Sequence, residues 1–386
     1  MFVVVHYEEI GTKGKNRSMF EKKLVDNIRS SLSKNSYESI KRSYGRILIE
    51  LKLDNKVDIK EILKKISGIA NFSFAVKAEL DIEDIKKELL KIAEKNKEKT
   101  FRISSRRGHK EFPYDSQKLN EELGAYLVEK CDMKVSLSKP EIAFFVEITE
   151  KGAFIYTDKI KGIGGLPVGA TGKVVSLISG GLDSPVAAWK MFRRGCSVVF
   201  VHFNNETLNK SGVEDKIVKL VEKLSHYQFK TRLYLIPFGR LQNEIIKVIP
   251  SKYRMIVYRR VMFKIAEKIL ENEKALEFVT GDSVAQVASQ TLENIKVIYA
   301  SAKSPVLSPL IGENKKDIIK IAEEIGTFEL STLPYEDCCS FLIDKHPETK
   351  AKLENIEKLE ENLKINNLIE ESIEKANIKV FMNKRF

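Results

Sequence analysis

Residues 179–184 read Ser-Gly-Gly-Leu-Asp-Ser and stand between an apolar run of strand length, Val174–Ile178, and a helical pattern that Pro185 opens. Gly180 and Gly181 suit such a turn because glycine can take positive φ and lets backbone N–H groups approach a bound anion closely. Proline is tolerated where a helix begins, and the helix N-terminus turns its partial positive charge toward the same anion. The chemistry this spacing points to is phosphate binding. A Walker-type loop would need Lys followed by Ser or Thr after its last glycine; Ser179–Ser184 has no such pair, and Gly172-Lys173 is followed by Val174. Asp183 adds a carboxylate suited to Mg²⁺, as a direct ligand or behind a bound water.

The spelling of this loop resembles the pyrophosphate loop of the ATP pyrophosphatases, which adenylate a carbonyl oxygen and release pyrophosphate. Two further clusters could do chemistry. Cys338 and Cys339 are adjacent and follow Glu336 and Asp337. Isolated thiols usually pack as small hydrophobes, but two neighbours in a polar loop cannot easily both face inward, which favours a reactive thiol. Arg102, Arg106, Arg107, His109 and Lys110 crowd together with Phe112, and no acid stands between Lys99 and Lys110. Such a stretch can be a solvated surface loop. Arginines beside aromatic rings also suit phosphate contacts and stacking on unpaired bases.

Composition narrows the classes. At 386 residues, 43% hydrophobic and 31% charged, the chain is expected to fold as two or three globular domains and lacks the polar bias of disorder. A formal charge of +12 makes a polyanionic partner plausible. The four cysteines, Cys131, Cys196, Cys338 and Cys339, have neither zinc-type spacing nor a disulfide framework. The run Phe2–Tyr7 is short and followed by acids, so neither a signal peptide nor a membrane span is expected, and the expected location is the cytoplasm.

The elements that must position these residues follow from periodicity. Phe2–Tyr7 reads as a buried strand, Met19–Leu32 as a helix with Phe20, Leu24, Ile28 and Leu32 on one face, Arg46–Leu53 as a strand, Ile59–Ile66 as a helix and Asn71–Ala78 as a strand. This fits the β-α-β-β-α-β order of a ferredoxin-like domain. A helix over Ile82–Lys95, a strand over Thr100–Ser104 leading into the basic stretch, a helix over Ser116–Lys130 and strands over Ala143–Thr149 and Phe154–Thr157 follow. A glycine-rich connector, Gly162–Gly169, marks the main boundary. Beyond it, strands at Val174–Ile178, Ser197–Phe203, Lys230–Ile236, Glu277–Thr280 and Lys296–Tyr299 alternate with helices, which argues for a doubly wound parallel sheet. Ligands of such sheets bind past the carboxyl ends of the strands, where His202, Phe203 and Gly281 meet the glycine loop. Asp282, Ser283, Gln286 and Gln290 have helical spacing, and Arg259 or Arg260 could balance a triphosphate. A helix over Lys315–Ile325 stops at Gly326, and Glu348–Lys375 reads as one amphipathic helix.

Tyr7–Arg17, the Ser-Gly-Gly-Leu-Asp-Ser loop, Thr280–Asn294 and Pro309–Ser331 with Cys338 together resemble the tRNA 4-thiouridine synthetases, or tRNA sulfurtransferases, nearly end to end. The resemblance implies a ferredoxin-like domain over 1–56, its last strand reaching to about 78, a THUMP RNA-binding domain over 57–161, a linker over 162–173 and a pyrophosphate-loop domain over 174–386. It implies ATP contacts from Leu177, Ile178, Ser179, Gly180, Gly181, Ser184, His202, Phe203, Arg259, Gly281 and Gln290, with Asp183 catalytic and holding Mg²⁺. It matches Cys338 to the sulfur-carrying cysteine, with Cys339 as the alternative one place on, and assigns tRNA contacts to Arg102, Arg106, Arg107, His109 and Lys110. The implied reaction adenylates a uridine, position 8 in the family, and replaces its O4 with sulfur. Some members append a rhodanese domain, which is not expected within these residues; a cysteine desulfurase or another persulfide donor would then serve this chain. A homodimer is compatible with the sequence. The alternatives are sulfur transfer to a carrier protein for thiamine thiazole synthesis and a non-catalytic, ATP-regulated tRNA-binding protein.

Overall fold

The structure is a computed structural model that describes residues 1–52, 56–205, 213–334, 338 and 341–382. It divides into two compact units, one spanning Met1–Pro167 and one running on from Val168.

The first unit comprises β1 (Phe2–His6), α1 (Arg17–Ser31), β2 (Tyr37–Ser43), β3 (Arg46–Leu51), α2 (Lys56–Lys64), β4 (Asn71–Ala78), α3 (Ile82–Ala93), β5 (Phe101–Arg107), α4 (Ser116–Cys131), β6 (Ile142–Thr149), β7 (Gly152–Tyr156) and β8 (Ile160–Lys161). Its sheet runs β2-β3-β1-β4-β7-β6-β5, with β8 pairing on β4. β1 lies between antiparallel β3 and β4, with Val4 opposite Leu48 on one side and Ser73 on the other. That central place suits its unbroken valines: the strand is flanked on both edges, and Val3, Val4 and Val5 are all fully buried. Phe20, Leu24 and Ile28 of α1 are all buried, as their spacing requires. The second strand of the ferredoxin-like order, β2, escapes the periodicity argument because only Ile40 of its seven residues is buried. The strand expected over 100–104 continues through Arg107, held in parallel register with β6 up to Arg107 beside Ile148. Arg102, Arg106 and Arg107 therefore stand on a strand and not in a basic loop.

The second unit comprises β9 (Lys173–Leu177), α5 (Asp183–Arg193), β10 (Ser197–Asn204), α6 (Val213–Ser225), β11 (Lys230–Pro237), α7 (Gly239–Val248), α8 (Arg254–Glu273), β12 (Glu277–Val279), α9 (Leu292–Tyr299), β13 (Val306–Leu307), α10 (Lys315–Glu324), α11 (Phe328–Thr332), α12 (Leu353–Glu360), α13 (Asn366–Glu374) and β14 (Asn377–Met382). The strand order is β13-β12-β9-β10-β11-β14. All pairs are parallel except β11 with β14. The chain winds outward from β9 through β10 and β11, then returns to β12 on the opposite side. A crevice opens at that switch, beyond the carboxyl ends of β9 and β12.

Three expectations are corrected here. Lys296–Tyr299 is not a strand but the end of α9, whose Thr291 hydroxyl accepts the Asn294 N–H at 3.2 Å; a short apolar run cannot be assigned by period alone, and this cap decides for helix. The sheet's remaining parallel strand is β13. Asp282–Gln290 is not a helix: Ala285 has φ 62° and its N–H reaches the Gln290 carbonyl at 2.9 Å, folding the segment into a loop with a terminal 3₁₀ turn at Ala288–Gln290. The tail is two helices with a break, because Glu360 at the end of α12 is paired with Arg260 and Lys264 while Ile365 turns into the core. The chain then returns as β14.

Candidate active site

Ser179–Ser184 joins β9 to α5 and is closed by its own hydroxyls. Ser184 Oγ accepts the Ser179 N–H at 2.9 Å and lies 3.1 Å from Ser179 Oγ, while the Gly181 N–H reaches Ser179 Oγ at 3.4 Å. Neither Gly180 nor Gly181 has positive φ, contrary to the expectation for this turn. A Cβ on Gly181 would meet nothing nearer than 3.6 Å, so glycine leaves the backbone uncovered here and relieves no strain. Pro185 falls in the first turn of α5, where its missing N–H costs no helical hydrogen bond.

The loop floors a cleft of about 560 Å³, within the range of small-molecule sites. Leu177, Ile178, Ser179, Gly180, Gly181, Asp183, Ser184, His202, Phe203, Arg259, Gly281, Gln290 and Cys338 all line it. The catalytic and nucleotide-site residues expected from the sequence are thus gathered at one cavity. Cys339 lies outside the described residues.

Each wall has a local cause. His202, at the end of β10, is buried, and its Nδ1 is 2.9 Å from the Ile178 carbonyl. A carbonyl only accepts, so Nδ1 carries the proton in this contact. Phe203 packs edge-on against Phe238 at 5.4 Å between ring centres and belongs to the apolar core beneath. Gly281, just past β12, touches the start of α5 so closely that a Cβ there would sit 2.6 Å from Ser184 N.

Asp282 is the hub of the far wall. Its carboxylate receives Arg259 and the Tyr299 hydroxyl, each at 2.6 Å, and the Gln290 amide at 3.0 Å. Burial would push this acid up, but the Arg259 charge and the hydrogen bonds outweigh it and hold the carboxyl below its ordinary range. Burial and the Asp282 charge push Tyr299 up to about 12, so it remains a donor. Asp183, nearer the rim, is paired with Lys315 at 2.7 Å and accepts the Gln286 amide at 2.8 Å. Among the described residues no group of three or more His, Cys, Asp or Glu side chains could hold a metal.

Sequence reasoning missed Lys216, Tyr299 and Lys315. Tyr299 was hidden by the mistaken strand. Lys315 lies in a stretch whose spelling was informative, but no local pattern tied it to Asp183. Lys216, on α6, is a buried lysine lining the cleft and donates to the Ser331 and Leu333 carbonyls at 3.0 and 2.7 Å; burial lowers its pKa.

In the first unit the basic stretch is split between two sides. Arg106 is exposed and lines a cleft of about 650 Å³ with His6, Glu147, Tyr156 and Lys159. Arg107 turns the other way, its guanidinium donating to the Phe112 carbonyl at 3.3 Å. Arg102 donates to the Leu137 carbonyl at 3.4 Å, while Lys110 is exposed and His109 sits 3.7 Å from Glu111. Beneath Arg106, buried Glu147 is paired with Arg46 and with His6 at 2.8 Å and accepts Tyr156 at 2.5 Å.

A parallel sheet whose glycine loop opens at the switch point defines an ATP-pyrophosphatase-type domain, preceded here by ferredoxin-like and THUMP-type elements. Family models agree in the same order: the ThiI ferredoxin-like domain over residues 2–73, the THUMP domain over 79–158, and the thiamine biosynthesis protein ThiI over 169–365. The chain belongs to the ThiI family of tRNA sulfurtransferases. It is 42% identical over 377 residues to a probable tRNA sulfurtransferase of Caldanaerobacter subterraneus, covering 96% of this chain and 99% of that one. A probable tRNA sulfurtransferase of Thermoanaerobacter is 41% identical over the same shares. Among solved structures, a 4-thiouridine synthetase in complex with RNA and bound ATP is 38% identical with a TM-score of 0.89, over 98% of this chain and 99% of the other. A Pyrococcus horikoshii protein is 27% identical with a TM-score of 0.67, over 84% and 99%. No helix among the described residues is long and apolar enough to cross a membrane.

Proposed function

We propose that this chain uses ATP to adenylate a tRNA uridine, at position 8, and replaces its O4 with sulfur carried as a persulfide on Cys338, giving 4-thiouridine. The observation that carries this reading is that the glycine loop, the Arg259 wall and Cys338 line one cavity. Activation and sulfur delivery then need no transfer between sites. The ATP-bound RNA complex of the 38% identical synthetase supports both substrates.

The uracil oxygen is a poor leaving group, and attack of O4 on the α-phosphorus turns it into AMP while pyrophosphate departs. The Ser179 and Gly181 N–H groups are taken by the loop's own hydroxyls, so the start of α5 would face the developing charge. Asp183 would hold Mg²⁺ together with phosphate oxygens, the usual way this ion binds with few protein ligands, and the ion would offset charge on the departing pyrophosphate. The terminal sulfur of the Cys338 persulfide attacks C4 and expels AMP, leaving a disulfide between the base and Cys338. An external thiol attacks the Cys338 sulfur and releases the thiolated base, and a second thiol frees Cys338 from the mixed disulfide, so two thiol equivalents, or one dithiol, are oxidised per turnover. A cysteine desulfurase is the proposed persulfide donor.

The test uses unmodified tRNA, ATP, Mg²⁺, a cysteine desulfurase with cysteine, and dithiothreitol. Wild type is expected to release pyrophosphate and form 4-thiouridine, and Cys338→Ala to release pyrophosphate in a single turnover without thiolating the RNA. Full thiolation by Cys338→Ala would overturn the sulfur carrier, and absence of both products in folded wild type would overturn the reaction.

A further inference from the structure

Cys338 lies between α11 and α12, off the sheet that supports the rest of the cleft, so something else must hold it there. Two buried polar side chains from other helices grip this stretch by its carbonyls. Gln242, on α7, is fully buried between Leu241 and Ile245, whose side chains belong to the core. Its Nε2 donates to the Cys338 carbonyl at 2.6 Å, and its Oε1 accepts from Asn205 Nδ2 at 2.8 Å. Asn205, also buried, directly follows β10, the strand that brings His202 and Phe203 to the cleft. Lys216 grips the same stretch further back, at the Ser331 and Leu333 carbonyls where α11 ends.

Placing an amide and an ammonium in an apolar interior is unfavourable unless their hydrogen bonds are made. A core serving only stability could fill these positions with apolar side chains of similar size at little loss. Here the bonds of both converge on the segment that carries the thiol, and one continues to the strand end beside the nucleotide wall. We propose that Gln242 and Lys216 are positioning residues, a two-point clamp that holds the buried Cys338 in the wall of the cleft and is needed for delivering sulfur but not for activating the base. This inference rests on the proposed reaction. A displacement of about 1 Å can reduce a reaction about 100-fold, so loosening either point is expected to be felt at the sulfur.

The test compares wild type with Gln242→Met, which keeps length and loses the donor, and with Lys216→Met and Lys216→Arg. Two rates are measured: pyrophosphate release in a single turnover, and 4-thiouridine formation with sulfur supplied either by a cysteine desulfurase and cysteine or by excess sulfide. With the desulfurase, Gln242→Met and Lys216→Met are expected to thiolate about 10- to 100-fold more slowly, with pyrophosphate release within about twofold of wild type. Excess sulfide, which needs no placed cysteine, is expected to restore their thiolation, and Lys216→Arg to recover most of the desulfurase-dependent rate. Equal losses in both rates, or no loss in thiolation, would overturn the clamp. If Lys216→Met does not fold, as read from its melting, Gln242→Met decides by the same criteria. Failure of wild type to form either product would instead overturn the reaction itself.

Discussion

Gly281→Ala probes the contact on which the cleft is built. The added Cβ would lie 2.6 Å from Ser184 N, 2.8 Å from the Asp183 carbonyl carbon and 3.0 Å from Ser184 Cα. The shortest of these falls about 0.8 Å below the 3.4 Å at which ordinary contact begins. All three atoms are backbone, so no rotamer change relieves the clash, and the start of α5 must move away from β12. Gly281 has no left-handed φ, so the effect is one of contact alone. Overpacking of this kind costs about 1–3 kcal/mol, which for a unit of this size lowers the melting temperature by about 3–10 °C. A shift of nearly 1 Å in the phosphate loop is expected to slow pyrophosphate release by about 10- to 100-fold. Trp189, the single tryptophan, lies on α5 itself, so its fluorescence reports melting of the affected unit. Gly124→Ala, on α4 with nothing within 4 Å, is the control: it should raise stability by about 0.5–1 kcal/mol, read by circular dichroism, with activity unchanged. Wild-type melting and wild-type pyrophosphate release in Gly281→Ala would refute the claim that this contact sets the loop.

Glu147 gives the first unit an acid limit. Burial would raise this carboxyl, but the His6 hydrogen bond and the His6 and Arg46 charges bring it down from 4.5 to about 2. Its folded pKa is thus depressed, so its contribution of about 3 kcal/mol is complete above pH 4.5 and disappears as pH falls toward 2. Amide exchange in β1 and β6, corrected for intrinsic rates, should show protection falling through that window, and Glu147→Gln should lose stability at neutral pH and flatten the dependence; an unchanged acid profile in the variant would refute the assignment. Arg106→Ala should weaken tRNA binding and reduce the slope of log affinity against log salt by about 1. Arg107→Ala, whose side chain is turned to the Phe112 carbonyl, should leave that slope near wild type; equal slopes in all three proteins would contradict the split of the basic stretch.

What the sequence disclosed depended on how local the signal was. The Ser179–Ser184 loop could be read because strand, turn and helix start are contiguous, and the ends of β10 and β12 could be placed beside it because a parallel sheet aligns its carboxyl ends. α1 was legible from Phe20, Leu24 and Ile28, whereas β2 was not, since an edge strand with one buried residue carries no alternation. Lys296–Tyr299 was misread because the evidence for a helix lies upstream, in the Thr291 cap, and not in the apolar run. Lys216, Gln242 and Lys315 stayed hidden for a different reason: their partners are 115, 96 and 132 residues away, and no spacing rule spans such distances.

The two acids of the cleft show how tertiary contacts divide roles that residue type leaves equal. Both Asp282 oxygens are engaged within the wall, one by Gln290 and the other by Arg259 and Tyr299. An acid so placed has little capacity left for a ligand, and its negative charge offsets that of Arg259. Arg259 is therefore better described as an oriented hydrogen-bond donor than as a source of net positive charge for a triphosphate. In the proposed reaction the charge balance at the phosphates would then fall on the start of α5 and on Lys315. Lys315 is paired with Asp183 at the rim, where both side chains keep some exposure. Asp183 would hold a divalent cation only by giving up its pairing with Lys315. By this reasoning Asp183 is the acid whose partner can exchange, at the more exposed rim, while Asp282 and Arg259 form a fixed, buried pair in the cleft wall.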